Sequence, residues 1–316
     1  MSGSAAVNLT QAGRSCPIDY TYSPAALSRV PDFDASTLYV AGGLYGNLEA
    51  LAAIEQLAAA EPATLVFNGD FHWLDADPDW FARIGRGIAH HRATRGNVET
   101  EIARVADIGA GCGCAYPDTV AEDVVRRSNE MLAILRESIP APARTPLYTL
   151  PLHLVAQVGP LRIGIVHGDA NSVAGWSFAY DQLDSAANRP RLSDIGAQAN
   201  VDIFASTHTG LAALRDFALD GRRLTIVNNG AAGMPNFAGT TFGVITRIAT
   251  TPAPHKPLYG LQRDGVHIDA LAVRYDRRAF FDRFLKRWPE GSPAHISYCR
   301  RIVEGPDYSI SRARPR

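Results

Sequence analysis

The sequence predicts an α/β protein built as a four-layer sandwich, with two mixed β-sheets packed together and helices outside. Three observations carry that expectation. Helical and strand patterns alternate in the first half of the chain, whereas strand follows strand in the second, which suits two packed sheets better than one doubly wound sheet. Ligand-type side chains recur in one setting: an apolar strand, then a glycine or turn, then Asp, Asn or His. And 316 residues are enough to bury a large core.

Residues 1–35 hold Pro17, Pro24 and Pro31 with little periodicity and read as an irregular arm. A strand at about 37–41 runs into the glycine loop Gly42-Gly43-Leu44-Tyr45-Gly46-Asn47, and a helix over 47–60 follows. In that helix Leu48, Leu51, Ile54 and Leu57 return every three residues on one face. Thr64 to Asn68 is a short apolar run ending at Gly69-Asp70, a buried strand with a carboxylate at its tip. The next helix, Asp77 to His91, has Asp77 as its cap and Pro78 in its first turn.

A glycine-rich stretch at 106–116 carries Cys112 and Cys114, and Pro117 to Ile139 reads as a long helix. Strands at about 147–157 and 161–166 form a hairpin through Gly159-Pro160, the second ending at His167-Gly168-Asp169. A helix near 191–199 precedes a strand at 201–205 that ends in Ser206-Thr207-His208-Thr209-Gly210. Strands at 211–218, 223–228 and 241–249 follow, then a hairpin of 258–262 and 266–275 around Asp264-Gly265. Arg277 to Trp288 is the last expected helix, with an irregular, solvated tail over 289–316. The expected organisation is thus an arm (1–35), one domain (36–288) and a tail.

Composition narrows the function. A net charge of −1 gives no electrostatic case for a nucleic-acid partner. No apolar run reaches the roughly 18 residues needed to span a bilayer, so no membrane partner is expected. The start, Met1 to Ala6, lacks a basic segment and an apolar core, so the expected compartment is the cytoplasm. The Asn8-Leu9-Thr10 glycosylation match is then accidental. In a reducing compartment Cys16, Cys112, Cys114 and Cys299 are expected as thiols.

Four groups share the strand-end setting: Asp70, Asn97, His167 and His208. Strand ends on one edge of a sheet converge, and a carboxylate, an amide oxygen and two imidazoles suit zinc, manganese or iron(II). Singly, each has an ordinary reading as a turn residue or a loop histidine; together they point to a single divalent cation. Cys112 and Cys114 are further candidate ligands as thiols.

The motifs resemble those of the calcineurin-like metallophosphoesterases over about residues 36–285. Gly69-Asp70 resembles that family's Gly-Asp motif, and Arg95-Gly96-Asn97-Val98-Glu99 resembles Gly-Asn-His-Glu/Asp. His167-Gly168 and Thr207-His208-Thr209-Gly210 resemble the later His and Gly-His-x-His motifs. Val227 to Gly233 and Ala272 to Asp276 resemble the loop and ending of bacterial members.

The resemblance implies a two-cation pattern with one half missing. Gly43, Tyr45 and Gly210 stand where the first cation's private ligands belong. Asp70, Asn97, His167 and His208 match the second cation's ligands. Another register aligns Ala205-Ser206-Thr207-His208 with Gly-His-x-His and makes His208 a first-site ligand. Tyr45 either fills the vacated space or ligates through its phenolate. The family's catalytic His after the Asn is Val98 here, so His72 is the first substitute acid, with Glu99 and Asp169 behind it. Arg95 and Asn229, with Tyr45, are candidate substrate contacts, Arg95 because a guanidinium matches phosphate geometry. Tyr298, Arg300 and Arg301 lie in the tail. The expectation is a one-cation hydrolase of a small phosphate ester or nucleotide, against a mononuclear, even iron-based, centre with other chemistry, or a binding protein without turnover.

Overall fold

The computed structural model of the protein describes residues 12–316; the beginning of the arm, including Asn8, lies outside the described residues. Two six-stranded mixed sheets face one another, with helices on their outer sides. One sheet has the order β11-β12-β10-β2-β3-β4, built from Thr37–Ala41 (β2), Thr64–Asn68 (β3), Arg92–Thr94 (β4), Gly243–Ala249 (β10), Tyr259–Arg263 (β11) and Val266–Val273 (β12). The other has the order β1-β5-β6-β7-β9-β8, from Phe33–Asp34 (β1), His153–Val158 (β5), Leu161–Val166 (β6), Ile203–Ser206 (β7), Ala213–Leu219 (β8) and Arg222–Asn228 (β9).

Strand alternation assigns the faces. Leu38, Val40 and Val66 point inward and meet Ile163, Ile165, Ile203 and Ala205 of the opposite sheet, forming the core between the sheets. Their neighbours Tyr39, Ala41, Leu65 and Phe67 point outward beneath helices Leu48–Ala60 (α1) and Pro78–Ile88 (α2), against Leu51, Ile54, Trp80 and Phe81. On the far side Val166, Phe204 and Ile226 pack under Leu192 and Ile195, which lie in a helix over 189–199. Each fully buried Leu, Ile or Phe contributes about 1.5–3 kcal/mol, so these three clusters hold the layers together.

The ends of α1 and α2 follow their caps. Asn47 Oδ1 accepts from Ala50 N at 2.9 Å, and Asp77 Oδ1 accepts from Trp80 N at 2.9 Å.

Three segments depart from expectation. The strand expected at about 147–157 begins only at His153, since Pro146 sits in the first turn of a 3-10 helix over Thr145–Thr149. A further helix, Asn97–Ala103 (α3), follows β4 and is entirely buried. The tail is not a solvated coil: Pro293–Glu304 (α9) is a helix capped by Ser292, with Ala294 and Ile302 buried and Arg127 Nε donating to Ser297 Oγ at 3.1 Å. The arm is also anchored, because Tyr20 is fully buried and donates to Glu101 Oε1 at 2.6 Å. Among the described residues no helix is long and apolar enough to cross a membrane.

Candidate metal centre

β2, β3 and β4 run parallel, as do β6, β7 and β9, so their C-terminal ends gather at one rim of the sandwich. Asp70, Asn97, His167 and His208 leave those ends and come together there. Ligand atoms of Asp70, His167 and His208 all lie within 4.8 Å of one another. His208 Nδ1 is 3.1 Å from Asn97 Oδ1, and His167 Nε2 is 3.3 Å from Asp70 Oδ1.

The surrounding backbone allows this closeness only with glycine at two points. A Cβ on Gly96 would lie 2.8 Å from both Asp70 N and His167 Cε1, and closer still to Asp70 Oδ1. A Cβ on Gly69 would collide with His167 Nδ1. Asp70 itself is left-handed, at φ 52°, a strained state of the kind that surrounding bonds must impose. Glu99 supplies them, accepting from Asp70 N (2.8 Å), Gly96 N (2.9 Å) and His72 N (3.1 Å). Glu99 is therefore a brace for the loops. Burial, and then the Asp70 charge, raise its pKa.

The hydrogen bonds decide which atoms face the centre. His167 Nδ1 sits 2.8 Å from Asn68 O, which can only accept, so Nδ1 carries the proton and the fully buried Nε2 has no hydrogen-bond partner. Burial opposes the charged form of His167, but the neighbouring Asp70 outweighs it and its pKa is raised. Burial, and then His167, push His208 down to about 4, so His208 is neutral at pH 7. Asn97 Nδ2 donates to Cys112 O at 2.9 Å, which turns Oδ1 toward His208. His208 Nε2 faces Cys114 O at 3.0 Å.

A neutral imidazole has one proton and here meets two acceptors. With that proton on Nε2, Nδ1 and Asn97 Oδ1 confront each other as bare lone pairs. A cation resolves the conflict: donors bonded to one ion at about 2.0–2.2 Å lie roughly 3.0–3.5 Å apart. The residues present therefore fit a divalent ion.

The other candidates fall elsewhere. His72 is fully buried, 2.6 Å from Asp75 and stacked on Phe81, and does not line the cavity next to the centre. Asp169 is occupied by Ser177 Oγ (2.6 Å) and by the backbone N–H of Asn171, Ser172 and Ser177. Arg95 lies over the Tyr148 ring and donates to Tyr148 O at 2.7 Å. Asn229 is buried and donates to Thr207 Oγ1 at 3.1 Å. Cys112 and Cys114 are joined in a disulfide, contrary to the thiols expected of a reducing compartment. Left-handed Gly111 and Gly113 fold the chain so that the Cα atoms of Cys112 and Cys114 are 5.4 Å apart. Joined sulfurs offer no thiolate, so they are not metal ligands here, although Cys114 Sγ accepts from Asn97 Nδ2 at 3.6 Å.

Tyr45 does reach the cavity. Its ring covers the space over Gly43, where a Cβ would lie 2.8 Å from its ring carbons, and its hydroxyl would be 3.1 Å from a Cβ on Gly210. Burial raises its pKa, which keeps the phenol protonated rather than a phenolate ligand. The cavity, of about 150 Å³, runs from Asp70, Asn97 and His208 to Tyr45, Tyr298 and Arg301. Trp73, Tyr116 and Trp176 also line it, and no motif in the sequence marks any of the three. Trp176 and Thr209 also border a groove of about 620 Å³ that contains Asp169, Asp181 and Arg191.

Two solved structures share this architecture. A hypothetical protein from Pyrococcus horikoshii OT3 matches 87% of the chain and 99% of its own length, with 17% identity and a TM-score of 0.57. A metallophosphoesterase from Sphaerobacter thermophilus matches 83% of the chain and 98% of its own length, with 13% identity and a TM-score of 0.52. The fold is that of the calcineurin-like metallophosphoesterases. No protein-family model and no curated protein matches the sequence. At such identities the likeness shows the metallophosphoesterase fold, and chemistry has to be argued from the site.

Proposed function

We propose that the protein is a metal-dependent phosphoric ester hydrolase working with one divalent cation (Mn, Fe or Zn) held by Asp70, Asn97, His167 and His208. The observation that carries this reading is the meeting of Asn97 Oδ1 with His208 Nδ1 at 3.1 Å, in a site where His167 Nε2 also has no hydrogen-bond partner. When bound, a divalent ion would polarise a phosphoryl oxygen and lower the pKa of an attacking water. Asn68 O fixes the His167 tautomer, and Glu99 holds the two loops that carry Asp70 and Asn97. Tyr45, Trp73, Tyr116 and Trp176 restrict water around the reacting group. A cavity of about 150 Å³ has room for a phosphoryl group and not for a nucleoside, so the leaving group lies toward the larger groove. The substrate is accordingly a small phosphate ester, or a nucleotide entering phosphate first.

A second reading has its own support: two imidazoles and one carboxylate are also the ligands of mononuclear iron centres with other reactions. Metal analysis of the purified protein with an aryl phosphate assay separates the two. One equivalent of metal with metal-dependent release of phosphate is expected. Bound iron without phosphatase activity favours the second reading, and no metal under any loading condition overturns both.

A further inference from the structure

The cavity lined by Asp70, Asn97 and His208 also carries a cationic side chain, Arg301. Arg301 of α9 reaches it half-buried, with Nη2 donating to Gly210 O at 2.7 Å and Nε to Pro235 O at 3.3 Å. Those two carbonyls fix the guanidinium plane but neutralise no charge. Among the described residues Nη1 has no acceptor and Arg301 enters no ion pair. A guanidinium taken partly out of water with no counter-ion is costly unless an anion completes it.

The Tyr45 hydroxyl flanks the same spot. Measured from a Cβ placed on Gly210, Tyr45 Oη is 3.1 Å away, Arg301 Nη1 3.7 Å and Nη2 3.9 Å. Tyr45 Oη has no hydrogen-bond partner among the described residues, and it lines the cavity. Beside it the Tyr298 hydroxyl accepts from Trp73 Nε1 at 3.0 Å, which leaves its own proton free to donate. The guanidinium and the two hydroxyls thus line one small cavity together with Asp70, Asn97 and His208.

We infer that Arg301, with the hydroxyls of Tyr45 and Tyr298, forms an oxyanion subsite that grips the non-bridging oxygens of a phosphoryl group and stands in for the charge of a second cation. That the phosphoryl is the reacting one rests on the function proposed above; that the subsite binds an oxyanion does not. The residues interlock to make it. Glycine at 43 and 210 leaves the space, the Tyr45 ring fills it, and α9 brings a fixed positive charge to its edge. A guanidinium also suits the bidentate geometry of phosphate oxygens.

The test is calorimetric binding of inorganic phosphate to the full chain, both metal-loaded and metal-stripped, with metal content and thermal melting followed in parallel. Wild type is expected to bind phosphate in both forms. Arg301→Met should weaken binding at least tenfold in both without changing metal content, and Arg301→Lys should recover part of the loss. Tyr45→Phe, which keeps the ring and removes only the hydroxyl, should weaken binding about three- to tenfold and serves if Arg301→Met does not fold. Unchanged phosphate affinity in Arg301→Met and Tyr45→Phe overturns the subsite, as does a wild type that binds no phosphate in either form. Loss of metal together with phosphate in Arg301→Met overturns it too, since the residue would then be supporting the metal centre. If wild type takes up no metal yet shows Arg301-dependent phosphate binding, the subsite stands and the single-cation hydrolase falls.

Discussion

Replacing His167 by Ala separates a metal ligand from a packing residue, because the two roles give different temperature shifts. In the metal-free protein, removing the ring opens a cavity of roughly 60 Å³, which at about 24 cal/mol per Å³ costs ~1.5 kcal/mol. The lost bond to Asn68 O adds about 1 kcal/mol, and buried Asp70 loses the imidazole that lies 3.3 Å from its Oδ1. The metal-free variant should therefore melt several degrees below metal-free wild type. The loaded protein differs, since a cation at about 100 times its Kd adds ~2.7 kcal/mol of stability. At roughly 2–4 °C per kcal/mol that is a rise of about 5–10 °C in Tm. The assay is thermal unfolding with and without chelator, across a manganese or zinc titration, beside metal analysis of the desalted protein. Wild type should show the rise and His167→Ala should not. A variant that keeps one equivalent of metal and the full rise would refute the ligand assignment.

Other expectations come from neighbouring features. Gly96→Ala should disorganise the centre without unfolding the protein, because its Cβ would press on Asp70 and His167; metal content should fall at least tenfold while far-ultraviolet circular dichroism is unchanged, and retained metal would contradict the crowding. Arg247→Met should cost about 3–5 kcal/mol in urea unfolding, since the fully buried guanidinium holds Glu61 at 2.8 Å and Asp269 at 3.3 Å and its removal strands both carboxylates; a cost below about 1 kcal/mol would mean the pair is not needed. Hydrogen bonds from Arg215 hold Asp184 below the usual carboxylate pKa. The unfolded chain titrates near pH 3.9 and so binds more protons in the acid range; this contribution is full above about pH 4 and lost as pH falls through the folded value. Asp184→Asn should then flatten the acid limb of a stability–pH curve below about pH 4, and an unchanged slope would rule the pair out as its source.

Much of the architecture was legible in the sequence because local patterns and tertiary burial agree. The three-residue spacing of Leu48, Leu51 and Ile54 marks the face that α1 buries, and the apolar runs 64–68 and 161–166 are strands within the two sheets. The gathering of Asp70, Asn97, His167 and His208 follows from strand direction, since each stands just beyond a parallel strand's C-terminal end. What was not legible depends on where the chain turns next. His72 is two residues past Asp70, yet the left-handed turn at Asp70 carries it to Asp75 and Phe81. Helix α9 had a start signal in Ser292-Pro293, but Tyr298 and Arg301 face the cavity rather than the core, which blurred its apolar stripe. The pairing of Cys112 with Cys114 is set by two left-handed glycines, which an argument from compartment does not see.

Asn68 ends β3 in one sheet, and its amide donates to Val166 O at 2.8 Å, Thr207 Oγ1 at 2.9 Å and Ala205 O at 3.3 Å in the other. Its backbone carbonyl orients His167. One residue thus rivets the two halves of the sandwich and orients a histidine of the candidate cation seat that lies across their seam. With an ion bound as proposed, prising the halves apart and emptying that seat would be a single event, and release of the ion into a colorimetric indicator would gauge when the sandwich opens.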